Sequence, residues 1–334
     1  INKLHIEHPV VHDPDMKLWS MYGNRYWPTQ VLIDTEGYIL GAMTGDGKRS
    51  QLELIIQYQA NRISDSGETR KWSLPLQHVR EAPSVLRFPG RLMASGNRFY
   101  IADSGHNRIL VVSSSGQLIR QYGSDVPGFI DGNGSSAAFD NPQGMALVDD
   151  FLYVADTGNH AIRRIHVRSN DVVTIAGTGN PATVASVDES GTPLTVSMSS
   201  PTDVVFKNGK LYIAMSGSHQ IWRLSLIANS IEVFSGSGYE DLQDGPPGSA
   251  AFSQPVGLAL VKNKLYSVDA GTSAVREIDI ETGIVSTVIG EGLFEFGDSD
   301  GAAAAARFQY PLDIVADADN EMLWVSDTYN NKIK

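Results

Sequence analysis

The 334-residue chain contains no cysteine. It forms no disulfide and does no thiol chemistry of its own, and the compartment is left open by cysteine usage. Long apolar runs are missing too: none approaches the ~18 uninterrupted residues of a membrane helix. The opening Ile1-Asn-Lys-Leu-His-Ile-Glu-His8 is not a signal peptide, and no Met precedes it, so the expectation is a segment cut at both ends from a longer protein. Basic charge is scarce. Lys and Arg number 26 against 38 Asp and Glu, a net charge of −12. Without a cationic face the chain is a poor partner for nucleic acid or an anionic membrane surface. One local basic cluster stands out, Arg163, Arg164, His166 and Arg168, and its alternating spacing reads as the solvated face of a strand. The remainder, 42% apolar and 19% charged, is the composition of an ordinary globular chain.

What the sequence does have is a repeated cassette. It reads Tyr100-Ile-Ala-Asp-Ser-Gly-His-Asn-Arg-Ile109, Tyr153-Val-Ala-Asp-Thr-Gly-Asn-His-Ala-Ile162, Tyr212-Ile-Ala-Met-Ser-Gly-Ser-His-Gln-Ile221, Tyr266-Ser-Val-Asp-Ala-Gly-Thr-Ser-Ala-Val275 and Trp324-Val-Ser-Asp-Thr-Tyr-Asn-Asn-Lys-Ile333. A proline loop precedes each copy, at Pro89, Pro142, Pro201, Pro255 and Pro311, with successive separations of 53, 59, 54 and 56 residues. Around the cassette lie short apolar strands split by Gly, Asn and Asp turns, as in Met145-Ala-Leu-Val148 and Ile231-Glu-Val-Phe234. Four such strands make one antiparallel meander, which buries too little alone and needs stacked neighbours. The unit length and the absence of helical periodicity predict the blades of a β-propeller. Between blades run loops ending in Phe139, Phe252 and Phe308, where Asp-Gly supplies a turn and an Ala run seats the Phe in the core. Asp298-Ser-Asp300-Gly reads as turn chemistry, since it lacks the spacing and downstream Glu of an EF-hand loop.

The pattern Pro-x-Gly, apolar strand, Tyr-Val-Ala-Asp-Thr-Gly-Asn-His-x-Ile resembles the NHL repeat over residues 85–334. The resemblance implies a propeller that commonly closes with six blades. Five are legible here, the fifth incomplete.

Residues 1–63 do not repeat. Pro9 to Asp13 reads as a strand, Asp13-Pro14 as a helix start, and Gly23 as its end. Thr29–Asp34 and Tyr38–Met43 read as a hairpin, and Arg49–Ile63 as an amphipathic helix. The order β-α-β-β-α and the segment Tyr26-Trp-Pro-Thr-Gln-Val-Leu-Ile-Asp resemble the second half of a thioredoxin-like domain. That resemblance implies a cis Pro28. It carries over no catalytic residue, because the half that holds Cys-x-x-Cys is absent. Residues 64–84 read as a linker and outer strand leading into the propeller. The combination resembles the NHL repeat-containing protein 2 family, including the loss of the cassette Asp at Met215.

Candidate site residues follow from the repeat. Asp103, Asp156, Asp269 and Asp327 end each cassette strand, where a carboxylate can accept N–H bonds of the following turn. Asn107, His160 and His219 share one position with Ser273 and Asn331, an interchange that suits a polar turn side chain bonding the neighbouring strand. No cofactor and no metal follow from this set. The leading expectation is a noncatalytic scaffold that binds a protein or small ligand on its loop face or axial channel, without nucleic acid or membrane. Two alternatives stand beside it. One is a thiol–disulfide oxidoreductase or peroxidase whose cysteines lie upstream. The other is a metal-dependent lyase in which His106, His160 and His219 ring the channel, since some NHL-type propellers are lyases with a channel metal.

Overall fold

The computed structural model describes residues 10, 13, 16–24, 29–44, 49–66, 84–182, 189–317, 319 and 322–334. They fall into two compact units, Ile1–Pro83 and Ser84–Lys334. Pro14 and Pro28 lie outside the described residues, as does most of the expected strand at 9–13.

In the first unit a one-and-a-half-turn helix, Lys17–Met21, starts later than the expected Asp13-Pro14: its N-cap is Met16, and Asp13 reaches it from upstream, its two carboxylate oxygens accepting the Lys17 and Trp19 N–H groups at 2.9 Å each. Thr29–Ile33 pairs antiparallel with Ile39–Thr44. Asp34 shapes the turn between them by accepting the N–H groups of Glu36 and Tyr38 at 2.9 and 2.8 Å. The helix Arg49–Ser66 follows. A cleft of about 510 Å³ lies between hairpin and helix, lined in part by Val31, Ile33, Leu40, Ile56 and Ile63. No described residue of this unit is buried, and Ile39, Leu54 and Tyr58 are largely exposed.

The second unit is a β-propeller of five sheets. Blade 1 comprises Arg91–Ser95, Arg98–Asp103, Arg108–Ser113 and Leu118–Tyr122. Blade 2 comprises Pro142–Val148, Phe151–Asp156, Ala161–His166 and Asp171–Ala176. Blade 3 comprises Pro201–Lys207, Lys210–Met215, Gln220–Ser225 and Ser230–Ser235. Blade 4 comprises Pro255–Val261, Lys264–Asp269, Ala274–Asp279 and Val285–Ile289, and blade 5 comprises Asp313–Ala316, Leu323–Asp327 and Lys332–Ile333. Each sheet is an antiparallel meander in chain order. In blades 2 and 3 a two-residue strand, Gly132–Asn133 or Ser190–Gly191, adds to the outer edge.

Proline opens the first strand of blades 2, 3 and 4, where a missing N–H costs nothing at a strand start. A bulge follows it in each, between Pro142 and Met145, Pro201 and Asp203, and Pro255 and Gly257. The bulge turns the second residue after the proline out of the regular alternation. Side chains beyond it alternate between the two neighbouring blades. Met145 packs with Tyr100 and Ile109 of blade 1, whereas Ala146 packs with Val204 and Ile213 of blade 3. The core is therefore a series of blade-to-blade seams. Phe139 and Phe252 are fully buried in two of them, and Phe308 is 4% exposed in another. Truncating a phenylalanine at such a seam costs about 3–5 kcal/mol.

Candidate functional site

The cassette residues sit where the second and third strands of each blade turn, at the end of the propeller that also holds the loops between blades. Each Asp accepts a backbone N–H from the residue two before the proline of its own blade. Asp103 accepts from Arg87 (2.7 Å), Asp156 from Asp140 (2.8 Å), Asp269 from Ser253 (2.8 Å) and Asp327 from Gln309 (2.7 Å). The backbone donor thus lies upstream, in the loop entering the blade, whereas the sequence reading places it in the turn that follows. The following turn contributes side chains instead. Asn159, Thr272 and Asn330 donate to the other carboxylate oxygen at 2.8, 2.8 and 2.9 Å, and His106 Nδ1 pairs with Asp103 at 2.9 Å.

The cassette glycine completes this grip. Gly105, Gly158, Gly217 and Gly271 donate their N–H groups to the carbonyls of Arg87, Asp140, Ser199 and Ser253 at 2.8–3.1 Å. A Cβ on Gly158 would stand 2.5 Å from the Asp140 carboxyl carbon. Glycine is used here for close approach, not for its freedom of φ.

Two residues further on, the chain enters the left-handed region. Asn107, His160, His219, Ser273 and Asn331 have φ between 50° and 56°. Asn and His are among the residues most often tolerated there. From that position four side chains reach the next blade. Asn107 Oδ1 accepts the Asn141 N–H at 2.9 Å, His160 Nδ1 that of Ser200 at 3.0 Å, His219 Nδ1 that of Gln254 at 3.1 Å, and Ser273 Oγ that of Tyr310 at 3.1 Å. The three histidines of the metal reading therefore serve three separate loops, with His106 held by Asp103. Among the described residues no group of three or more His, Cys, Asp or Glu side chains is placed to hold a metal ion.

Seven residues after the cassette Asp, on the third strand, blades 2 and 4 bury an arginine completely. Arg163 Nη1 donates to Asp156 and to the Ala138 carbonyl at 2.8 Å, and its Nη2 reaches Asp131 at 2.9 Å. Arg276 repeats the set: Asp269 at 3.6 Å, the Ala251 carbonyl at 2.7 Å and Asp244 at 3.1 Å. Their guanidinium groups lie 5.0 and 4.9 Å from the Phe139 and Phe252 ring centres, within the range of a cation–π contact. The solvated-face reading of the basic cluster fails at Arg163. A strand side chain that points along the seam finds a carboxylate and an aromatic face there, and the interior accepts it. Asp131 and Asp244, expected as turn residues, also pair with these arginines. In blade 5, Lys334 takes the arginine's position, 3.4 Å from Asp327, and it binds Asp298 and Asp300 at 2.8 and 3.2 Å, so the Asp-Ser-Asp loop faces a cation of its own chain. Burial still outweighs these partners at Asp156 and Asp269 and pushes both up to about 6.

Blade 3 departs from this scheme. Met215 replaces Asp and Trp222 replaces Arg, both buried. The indole N–H donates to Gln220 Oε1 at 3.0 Å, and Gln220 in turn donates to the Gly236 carbonyl. The hydroxyl of Ser218, buried where other blades direct a donor at the Asp, has no hydrogen-bond partner.

A second polar constellation lies at the inner strands, and the sequence reading missed it. The residue two after each proline is Arg91, Gly144, Asp203, Gly257 or Asp313 in blades 1 to 5. Arg91 crosses from blade 1 to the Val256 carbonyl of blade 4 at 2.7 Å and to Asp313 of blade 5 at 3.3 Å. Asp203 accepts the Leu258 and Val204 N–H groups at 2.8 and 2.9 Å. The two glycines make room: a Cβ on Gly144 would stand 2.1 Å from Asp203 Oδ1, and one on Gly257 3.1 Å from Asp313 Oδ1. Arg91 pairs with Asp313, and its charge also acts on Asp203. Burial, reinforced by Asp313 and opposed by Arg91, pushes Asp203 up to about 7. The signal was the repeated Pro-x-Gly or Pro-x-Asp.

Inter-blade loops at this end expose Val126, Ile130, Tyr239, Phe294 and Phe296. No described helix is long and apolar enough to cross a membrane.

The NHL repeat family matches residues 139–165, which hold the second cassette. Over 367 residues the chain is 36% identical to NHL repeat-containing protein 2 of Gallus gallus, an alignment covering 99% of this chain and 50% of that protein. It is 37% identical over 350 residues to Protein SUPPRESSOR OF QUENCHING 1, chloroplastic, of Arabidopsis thaliana, covering 98% of this chain and 33% of that one. The chain thus spans half the length, or less, of these curated relatives. Among solved structures it is similar to an auxiliary nutrient binding protein from Bacteroides thetaiotaomicron, with TM-score 0.55 and 17% identity over 75% of this chain and 59% of that one. That likeness shows the propeller fold alone. Repeat, five-bladed propeller and relatives together make this an NHL-repeat β-propeller protein.

Proposed function

We propose that the propeller is a noncatalytic scaffold that binds a protein or small ligand at the end carrying its inter-blade loops. The observation that supports this is a division of labour. The Asp, Arg, Asn and His side chains of the cassettes are occupied with neighbouring backbone, while the loops between blades present exposed Val126, Ile130, Tyr239, Phe294 and Phe296. Apolar groups gathered on loops of one rigid frame suit recognition. The axial Arg91, Asp203 and Asp313 add charge at the inner strands. The test uses the full-length protein: a partner is captured, and Tyr239→Ser with Phe296→Ser must weaken that capture at least tenfold without unfolding the chain. Capture unaffected by these changes, or a measured turnover, contradicts the reading.

The first unit is, in this reading, the later half of a thioredoxin-like module. The antiparallel hairpin followed by a long helix supports it, as does the apolar surface left open on that unit. Redox function in the intact protein then turns on sequence outside residues 1–334. Reading the upstream frame tests it: no Cys-x-x-Cys and no lone nucleophilic Cys there ends the redox reading.

A further inference from the structure

The four blade-to-blade latches differ in one chemical respect. Asn107 and Ser273, which fasten blade 1 to blade 2 and blade 4 to blade 5, do not titrate in the physiological range. His160 and His219, which fasten blade 2 to blade 3 and blade 3 to blade 4, do. Each offers Nδ1 as the acceptor of a backbone N–H, at 3.0 Å from Ser200 and 3.1 Å from Gln254. An imidazole accepts there only while that nitrogen is unprotonated; the imidazolium has donors on both nitrogens and would set N–H against N–H. Blade 3 therefore stands between two acid-labile latches. It is also the blade whose cassette holds Met215 and Trp222 in place of the buried Asp–Arg pair, with the Ser218 hydroxyl unsatisfied beside them. The neighbouring blades 2 and 4 hold their entering loops with Asp156 and Asp269. In blade 3 Gly217 still holds the Ser199 carbonyl, at 3.1 Å, but the cassette presents Met215 where the other blades present a carboxylate.

We propose that blade 3 is an acid-sensitive element: protonation of His160 and His219 releases its two seams together and loosens it from an otherwise intact propeller. The groups facing the two histidines bear on the direction. Burial holds His160 below the ordinary imidazole range, and Asp140 beside it works the other way without overcoming burial. At the His219 latch the adjoining loop presents Gln254 and Ser253, whose hydroxyl donates to Glu240 at 2.8 Å. With a folded value below the unfolded 6.5, His160 stabilises the closed seam at neutral pH, and this stabilisation declines as pH falls below about 6.5. If the closed His160 latch binds no proton, linkage weakens that seam by up to about 30-fold at pH 5.

The test is hydrogen exchange by mass spectrometry on the whole chain at pH 7.5 and 5.0, corrected for intrinsic exchange rates. Peptides spanning Ser200 and Gln254 are expected to lose at least tenfold protection at pH 5.0 relative to peptides spanning Asn141 and Tyr310. The double variant His160→Asn, His219→Asn installs the side chain that position 107 already uses, and it should remove the difference. Equal loss at all four loops, or an undiminished difference in the double variant, overturns the proposal. Nitrogen-15 chemical shifts of the wild-type histidines give a second readout that does not depend on the variant folding. A neutral Nε2–H tautomer at pH 7.5 for both residues is expected, and Nδ1–H at either overturns it.

Discussion

Blades 2 and 4 bury an ion pair at a place where blade 3, between them, buries Met215 and Trp222. The backbone frame is the same in all three: proline at the strand start, a bulge after it, a cassette turn ending in a left-handed residue, and a side-chain latch to the next blade. Two unlike side-chain solutions thus fill one seam position. The ion pair satisfies more backbone, since Asp156 holds the Asp140 N–H and Arg163 holds two carbonyls. The apolar pair avoids removing two charges from water. Replacing buried ion pairs by well-packed apolar groups is often neutral, whereas removing one partner is strongly destabilising. The repeat can therefore lose its Asp only together with its Arg, as blade 3 has.

The comparison can be broken most severely at Asp156. Asp156→Ala leaves Arg163 fully buried without its buried counter-ion, and the expected loss is about 3–5 kcal/mol in urea unfolding. Met215→Asp tests the converse, placing a carboxylate against Trp222 with no cation opposite. A cost of about 3 kcal/mol is expected, and a stable variant would mean that blade 3 tolerates what its sequence avoids. Gly158→Ala drives a methyl into Asp140 and should cost about 1–3 kcal/mol by the same measurement. Asn107→Ala removes one latch and should cost about 1 kcal/mol.

Asp203 sharpens the comparison from the other side, because blade 3 carries its ionisable group at the inner strand. Its folded value of about 7 lies above the unfolded range, so the native state retains a proton that the unfolded state releases. Its contribution is greatest below about pH 4 and is lost as pH rises toward 7. Asp203→Asn is expected to raise thermal stability at pH 8 relative to wild type and to flatten the profile between pH 5 and 8. Lower stability at pH 8 would show that the ionised form is preferred.

How far the sequence could be read depends on where each partner lies. Strands, turns and blade boundaries were legible because their determinants are local: proline at strand starts, Gly-containing turns, Tyr and Val in alternation. Phe139, Phe252 and Phe308 could be placed in the core because each ends a recognisable Ala-rich loop. Asp103, Asp156, Asp269 and Asp327 stood out, but their backbone donors lie 16 or 18 residues upstream and become neighbours only when the meander closes. Arg163 is buried where alternation predicts a solvated face, because strand alternation gives the face and not what covers it. The axial group was hidden for the same reason, since Arg91 and Val256 are 165 residues apart. In the first unit periodicity located the hairpin and the long helix, while none of its described residues is buried, so no packing pattern was available to read.

The central claim is that the recurring polar residues of the cassettes hold blades together. A double-mutant cycle on Asp156→Ala and Arg163→Met tests it most directly. The account predicts a favourable coupling of about 2 kcal/mol, with the double variant more stable than the sum of the single losses. Additivity within about 0.5 kcal/mol would contradict it.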